Sequence, residues 1–272
     1  MSIRIGIGVD VWANRGDALS PEALAWQTNI IANDGTITPT QLAFFDTWFF
    51  KPAVAAGNIL TELDRFNLYC GLVGSEVAAR TNMIKSAHFV TPVSSPTFDN
   101  NGYRSSGTSY LNLNYNPKTQ GVKLTQNSAS VFAVVKNPSF ASQFRFIGAF
   151  NSTFANQLAM VRNIAPNLYG AVNTGGGTLN TNTTTSGNVF LATRRASSAN
   201  QDTIINASIV NSAQLSTDIP NLNQFELVIN SNGTPFGPYD TMSHLCSGHG
   251  SGSLNISGLQ TILNNLFTAA GL

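Results

Sequence analysis

Charge is what this chain has least of. Lysine and arginine together number 14 and aspartate and glutamate 13, a net charge of +1, and charged residues are 10% of the 272, against roughly 25% in a typical globular domain. The basic residues are scattered, with Arg194 and Arg195 the only adjacent pair, so the electrostatic footprint of a nucleic-acid or anionic-membrane binder is missing. Cysteine is nearly absent too. Cys70 and Cys246 stand far apart, which excludes a disulfide scaffold and leaves two buried thiols as the simplest expectation. No apolar run approaches the ~18 residues of a membrane span, and the opening "MSIRIGIGVDVW" lacks the apolar core of a signal peptide, so neither is expected. There is also no P-loop, no Gly-x-Ser-x-Gly elbow and no calcium loop of EF-hand type. "GIGVDV" has two glycines of a dinucleotide fingerprint without the third or a βαβ context.

What fills the chain is neutral polarity beside a large apolar share. Apolar residues make up 42%, with 17 Phe, while Asn and Thr number 31 and 26. Asn and Thr suit turns, loops and strands better than helix interiors. The composition predicts a mainly β protein with a real core and an uncharged polar surface.

Patterning refines this. "IRIGIGVDV" alternates apolar and polar residues with period two and reads as a strand, a natural docking or oligomer contact. In "DALSPEALAWQTNIIAND", Ser20 caps a helix that Pro21 opens and Gly35 ends; in "TITPTQLAFFDTWFFKP", Thr38 caps, Pro39 opens and Pro52 stops. A third short helix is expected over "AAGNILTELDR" and a strand over "FNLYCGLV". From about Thr91 the texture becomes short apolar runs between Asn, Gly, Ser and Pro: "YLNLNY", "SVFAVVK", "FRFIGAF", "QLAMVRN", "NLYGAV", "NVFLATR", "DTIINASIV" and "FELVIN". Such spacing predicts a sandwich or jelly roll. "NTGGGTLNTNTTTSGN" reads as an exposed hairpin or loop tip, and "NISGLQTILNNLFTAAG" as a terminal helix capped by Ser257. The division expected is 1–90, a strand and helical region for docking or assembly, and 91–272, the sandwich.

"FDNNGYRSSGTSYLNLNYNPKT" followed by "SVFAVVKN" resembles the opening of concanavalin A-like, laminin-G-like jelly-roll domains of bacteriophage virion proteins. "LAFFDTWFFKPAVAAGNILTELDRFNLYCGL" and "NMIKSAHFVTPVSSPTF" are similar to the helical lead-in of tail-fibre, appendage and spike proteins of this kind. "LSTDIPNLNQFELVINSNG" through "SLNISGLQTILNNLFTAAGL" resembles their last strands and terminal helix. The resemblance spans about residues 36 to 272. It implies a non-enzymatic structural protein of the virion, made in the bacterial host cytoplasm, whose partners are other virion proteins, further copies of itself and a host cell-surface glycan. The alternative is a lectin-like carbohydrate-binding module, with glycoside hydrolysis ranked last.

The side chains themselves speak for binding over turnover. Retaining glycosidases need two carboxylates ~5 Å apart, yet after Asp99 the acids Asp202, Asp218, Glu226 and Asp240 are isolated in sequence. Glu226 is read either as facing solvent or as a satisfied buried carboxylate. "HLCSGHG" gathers His244, Cys246 and His249, but no second ligand cluster accompanies it. On a regular strand His244 and Cys246 would share a face, and packing or a hydrogen-bonded histidine explains them. His88 stands alone and reads as structural. No cofactor or metal is expected. Contacts to a glycan or partner would come from Tyr103, Arg104, Tyr110, Tyr115 and Tyr239, which supply aromatic faces and hydrogen-bonding groups; the competing reading makes the tyrosines half-buried sandwich residues with wet hydroxyls.

Overall fold

Helices begin where the sequence caps them. The computed structural model describes residues 18–138, 144–151, 156–164, 167–181 and 186–272; the alternating pattern at 3–11 lies outside them. Helix α1 (Pro21–Ala32) starts with the Ser20 hydroxyl accepting the Ala23 N–H. Helix α2 (Pro39–Phe45) has a complete capping box, in which the Thr38 hydroxyl accepts from the Gln41 N–H and the Gln41 side chain accepts from the Thr38 N–H. Pro52 does not stop this stretch. A π-helical turn, Asp46–Phe50, comes first, with the Lys51 N–H bonded to the Asp46 carbonyl, and helix α3 (Lys51–Ala55) then carries Pro52 in its first turn. There the missing N–H is no loss. The wider turn leaves both Phe49 and Phe50 fully buried.

The third helix expected is instead a 3₁₀ turn, Ile59–Glu62, followed by strand β1 (Leu63–Leu68). Gly57 and Asn58 both take positive φ and end the helical path. Helix α4 (Glu76–Arg80) leads to β2 (Thr91–Val93), β3 (Thr97–Asp99), β4 (Gly102–Arg104), β5 (Tyr110–Asn112) and the single-turn α5 (Pro117–Gln120). There follow β6 (Ala129–Lys136), β7 (Phe144–Phe150), β8 (Gln157–Ile164), β9 (Asn167–Thr174), β10 (Thr178–Asn180) and β11 (Asn188–Arg195). The last strands are β12 (Asn200–Ile205), β13 (Ser208–Ala213), β14 (Phe225–Glu226), β15 (Ile229–Ser231), β16 (Thr234–Phe236) and β17 (Ser243–Gly250), before helix α6 (Ile256–Ala269). Asn255 caps α6 by accepting the Gly258 N–H, so the cap falls two residues before Ser257. The polar tract at 173–188 is not wholly an exposed tip: β10 lies within it, with Thr178 and Asn180 buried and bonded to Gln201, Thr203 and Ser208.

Two largely antiparallel sheets face each other as a concanavalin A-like jelly-roll sandwich. The first has the order β13-β12-β11-β6-β17-β4-β3, with β1 also paired to β17; the second has the order β10-β9-β8-β7-β14-β5-β2, with the β15–β16 hairpin attached along β7. Alternation along β6 shows how the layers arise. Val131, Ala133 and Val135 face the inner core with Leu158, Met160 and Val172. Phe132 and Val134 face outward into a second core with Trp26, Phe45, Phe49, Leu263 and Phe267. Helices from both ends of the chain therefore roof the first sheet. Among the described residues the second sheet has no helical roof of this kind, and beside its β15–β16 hairpin lies a small separate cluster of Phe150, Ala159 and Ile229, with Tyr169 packed against it.

Candidate functional site

The five sequence candidates separate into three places. Tyr103 and Tyr115 have no exposed surface; their hydroxyls donate to Glu76 Oε1 at 2.7 Å and to Asp64 Oδ2 at 3.1 Å. Burial pushes both hydroxyls well above the ordinary tyrosine range, with the neighbouring carboxylates adding to it. Neither can touch a ligand from outside. Arg104 lies near the edge of the first sheet, paired with Asp99 at 2.6 Å. Tyr110 and Tyr239 come together on the open face of the second sheet.

That face follows from alternation. Leu111 belongs to the inner core, so its neighbour Tyr110 points away from it, and the Tyr110 ring packs on Phe225 at 4.7 Å between centroids. Asp240 is turned inward, so Tyr239 is turned out. Arg145 precedes inward-facing Phe146 and pairs by a single bridge with Tyr239. Its guanidinium lies over the ring of Phe236 at 5.7 Å, and Phe236 is 40% exposed. Burial, and after it the nearby Tyr239, raise the Tyr110 hydroxyl. Gly237 is required here: its φ is +90° and a Cβ would stand 2.6 Å from Arg145 Nε. The result is a half-exposed aromatic shelf with one cation. Arg145 and Phe236 escape the sequence reading, although the polar position inside "FRFIGAF" is the signal that could have found the arginine.

Beneath the shelf lies a polar network with no exposure at all. Strand β17 bulges between His244 and Cys246, shifting its register on β6 from Val135 to Val134. The extra residue puts the two on opposite faces, contrary to regular alternation: His244 enters the sandwich, whereas Cys246 joins the helical side. His244 Nδ1 meets Glu226 Oε1 at 2.7 Å and Nε2 meets Asp240 Oδ2 at 2.7 Å. Both nitrogens face acceptors, so both donate and the ring is an imidazolium. Burial alone would lower its pKa, but Asp240 and then Glu226 raise it to about 9. For Glu226 burial opposes ionisation, and the hydrogen bond and charge of His244, with Arg65 and Ser247, hold it below the usual value. Glu226 is thus the satisfied buried carboxylate of the two alternatives.

Tyr69 and Ser247 both donate to Glu226 Oε2 at 2.7 Å. Arg65 donates to Asn67, Tyr69 and Ser247 and meets His249 Nδ1 at 3.1 Å. His249 must accept there, and burial, then Arg65, drives its pKa well down. His88 bonds the Asn114 carbonyl and packs edge-on to Tyr115, at φ +65°. Among the described residues no group of three or more His, Cys, Asp or Glu side chains is arranged to hold a metal.

One open groove of about 510 Å³ lies between the start of α6 and the β12–β13 hairpin, with Arg194, Asn206, Ile209, Gln260 and Asn264 among its walls. It has no aromatic face, and Arg194 is already paired with Asp202 at 2.6 Å. The shelf is the better candidate.

No protein-family model and no curated protein matches the chain. Solved structures do. The botulinum neurotoxin serotype D binding domain aligns with a TM-score of 0.51 at 10% identity, over 77% of this chain and 52% of that one. A mutant of Trypanosoma rangeli sialidase displaying trans-sialidase activity aligns at 0.52 and 10% identity, over 83% of this chain and 39% of that one. The receptor binding domain of a botulinum neurotoxin C/D mosaic serotype gives 0.51 and 9%, over 75% and 51%. The chain spans about half or less of these structures. What it shares with them, at such identity, is the β-sandwich fold.

Proposed function

We propose that this chain is a non-enzymatic glycan-binding sandwich whose ligand lies on the outer face of the second sheet. The observation that carries it is the meeting of Tyr110 and Tyr239 there, beside Phe236 and Arg145. Sugars present an apolar face that stacks on aromatic rings and hydroxyls that need polar partners, and this shelf offers both without a deep cavity. The other face of the sandwich is taken up by helices. The similar neurotoxin folds are binding domains, which adds only that such a sandwich serves binding elsewhere.

Absence of turnover is part of the proposal. Glycoside hydrolysis needs an acid and a nucleophile or base flanking the bond. Glu226 and Asp240, held together by His244, are both fully buried. Asp99, Asp202 and Asp218 are each paired with a surface cation. On the resemblance at 98–119, the module would be carried on a phage particle as part of a fibre, spike or decoration, with the glycan on the host surface.

Glycan-array binding followed by calorimetry tests this. Tyr110→Ala and Tyr239→Ala should each weaken the best ligand by about tenfold, ~1.4 kcal/mol, whereas Arg104→Gln should change nothing and no new reducing ends should form. Unchanged affinity in both tyrosine variants would contradict the proposed face, and released product would contradict the non-enzymatic assignment.

A further inference from the structure

Arg145 is anomalous among the described arginines. Arg65 has four polar partners in the buried network, Arg80 bonds the Val90 carbonyl, and Arg104 and Arg194 sit on Asp99 and Asp202. Arg195, fully buried, donates to the carbonyls of Val172, Ser197, Ser198 and Gln214. Arg145 is half-buried, and its Nε is closed off from solvent with no partner. Among the arginines whose side chains are described, it alone has neither a hydrogen-bond partner nor a carboxylate.

A partly desolvated cation without a counter-charge costs free energy; the Phe236 ring face offsets part of it, but among the described residues no carboxylate or hydrogen-bond acceptor does the rest. Burial accordingly lowers its pKa, with no neighbouring charge acting the other way. The Phe236 ring and Gly237 hold the guanidinium in place on the shelf beside Tyr239. With Nε covered, an incoming group reaches it at the terminal nitrogens. The guanidinium is planar and matches a carboxylate or a sulfate ester better than a neutral hydroxyl.

We infer that the ligand of this face is an anionic saccharide, whose carboxylate or sulfate ester completes Arg145 while a ring of the sugar lies against Tyr239 or Tyr110. This rests on the glycan-binding proposal and names its substrate class. A neutral sugar would use the tyrosines and leave the arginine uncompensated. An anionic one satisfies both.

The test is a glycan array presenting neutral, uronate-containing, sialylated and sulfated oligosaccharides, followed by titration of the strongest binder and its neutral counterpart at 50 and 300 mM salt. The anionic ligand should bind at least about tenfold more tightly than the neutral one, and raising the salt should narrow the gap. Arg145→Gln should remove that preference and leave the weak neutral affinity, Arg145→Lys should keep part of it, and Tyr239→Ala should weaken both ligands. Uronate or sialylated ligands leading the array would identify the group as a carboxylate, and sulfated ones as a sulfate ester. Neutral glycans binding as tightly as anionic ones, or a preference that survives Arg145→Gln, would overturn the inference while leaving glycan binding intact. If no saccharide of any class binds, the glycan proposal fails and this inference with it.

Discussion

His244 and His249 lie five residues apart on one strand and are held in opposite protonation states. His244 is clamped between two carboxylates and keeps its proton to about pH 9. His249 faces the Arg65 guanidinium and stays neutral, its pKa well below 6.5. A histidine raised on folding contributes stability that is whole below its unfolded value and is lost as pH rises to its folded value. One that is lowered costs stability as pH falls below its unfolded value. Unfolding free energy should therefore peak near pH 6.5, falling above it by about 1.4 kcal/mol per pH unit from His244 and below it by a similar slope from His249. Denaturant unfolding between pH 5 and 9, with ring titration by NMR of the three histidines, measures this. A stability flat from pH 6.5 to 9, with no ring titrating near 9, would refute the imidazolium clamp. The residue types were legible in "HLCSGHG", as was a hydrogen-bonded histidine. The bulge that turns His244 away from Cys246 was not, because it depends on where Val134 and Val135 fall in the neighbouring strand.

At the scale of elements, β1 ties the N-terminal segment to the sandwich. It pairs with β17 from Leu68 on Cys246 to Leu63 on Gly250. Its Asp64, 1% exposed, accepts the backbone N–H groups of Val122, Lys123 and Leu124 and the Tyr115 hydroxyl, and so fixes the loop before β6. Asp64→Ala would leave the Leu124 N–H and the Tyr115 hydroxyl buried without a partner, and should cost about 3 kcal/mol, read as a lower denaturant midpoint with an unchanged slope. A shift within experimental error would mean the loop finds other partners. Capped helices such as α1 and α2 could be read in the sequence because Ser20, Thr38, Pro21 and Pro39 act locally. "AAGNILTELDR" could not, since its later residues become a strand only by pairing with residues nearly two hundred positions away. β10 arises otherwise, by folding back on the preceding β9 with Leu179 opposite Tyr169, and what the composition of its tract hides is the set of bonds that bury Thr178 and Asn180 against Gln201, Thr203 and Ser208.

For the whole molecule, the layering decides where function can sit. Apolar helices from the N-terminal region and α6 cover one face of the sandwich, a network of paired charges fills part of its interior, and among the described residues no helix packs on the outer side of the second sheet. Low overall charge, legible at once, fits a surface that is polar through Asn, Thr and Ser. The proposed binding face was only half legible. Tyr110 and Tyr239 could be named as residue types, but a strand of the second sheet and a turn after β16 had to meet before they formed a shelf, and Arg145 gained meaning only through lacking the partner that the other described arginines have. The most direct measurement is the NMR footprint of a bound oligosaccharide on the 28.9 kDa chain. The account predicts shifts concentrated at Tyr110, Arg145, Phe225 and residues 236–239. Shifts gathered instead around Asn206, Gln260 and Asn264, or on the helical face, would contradict it.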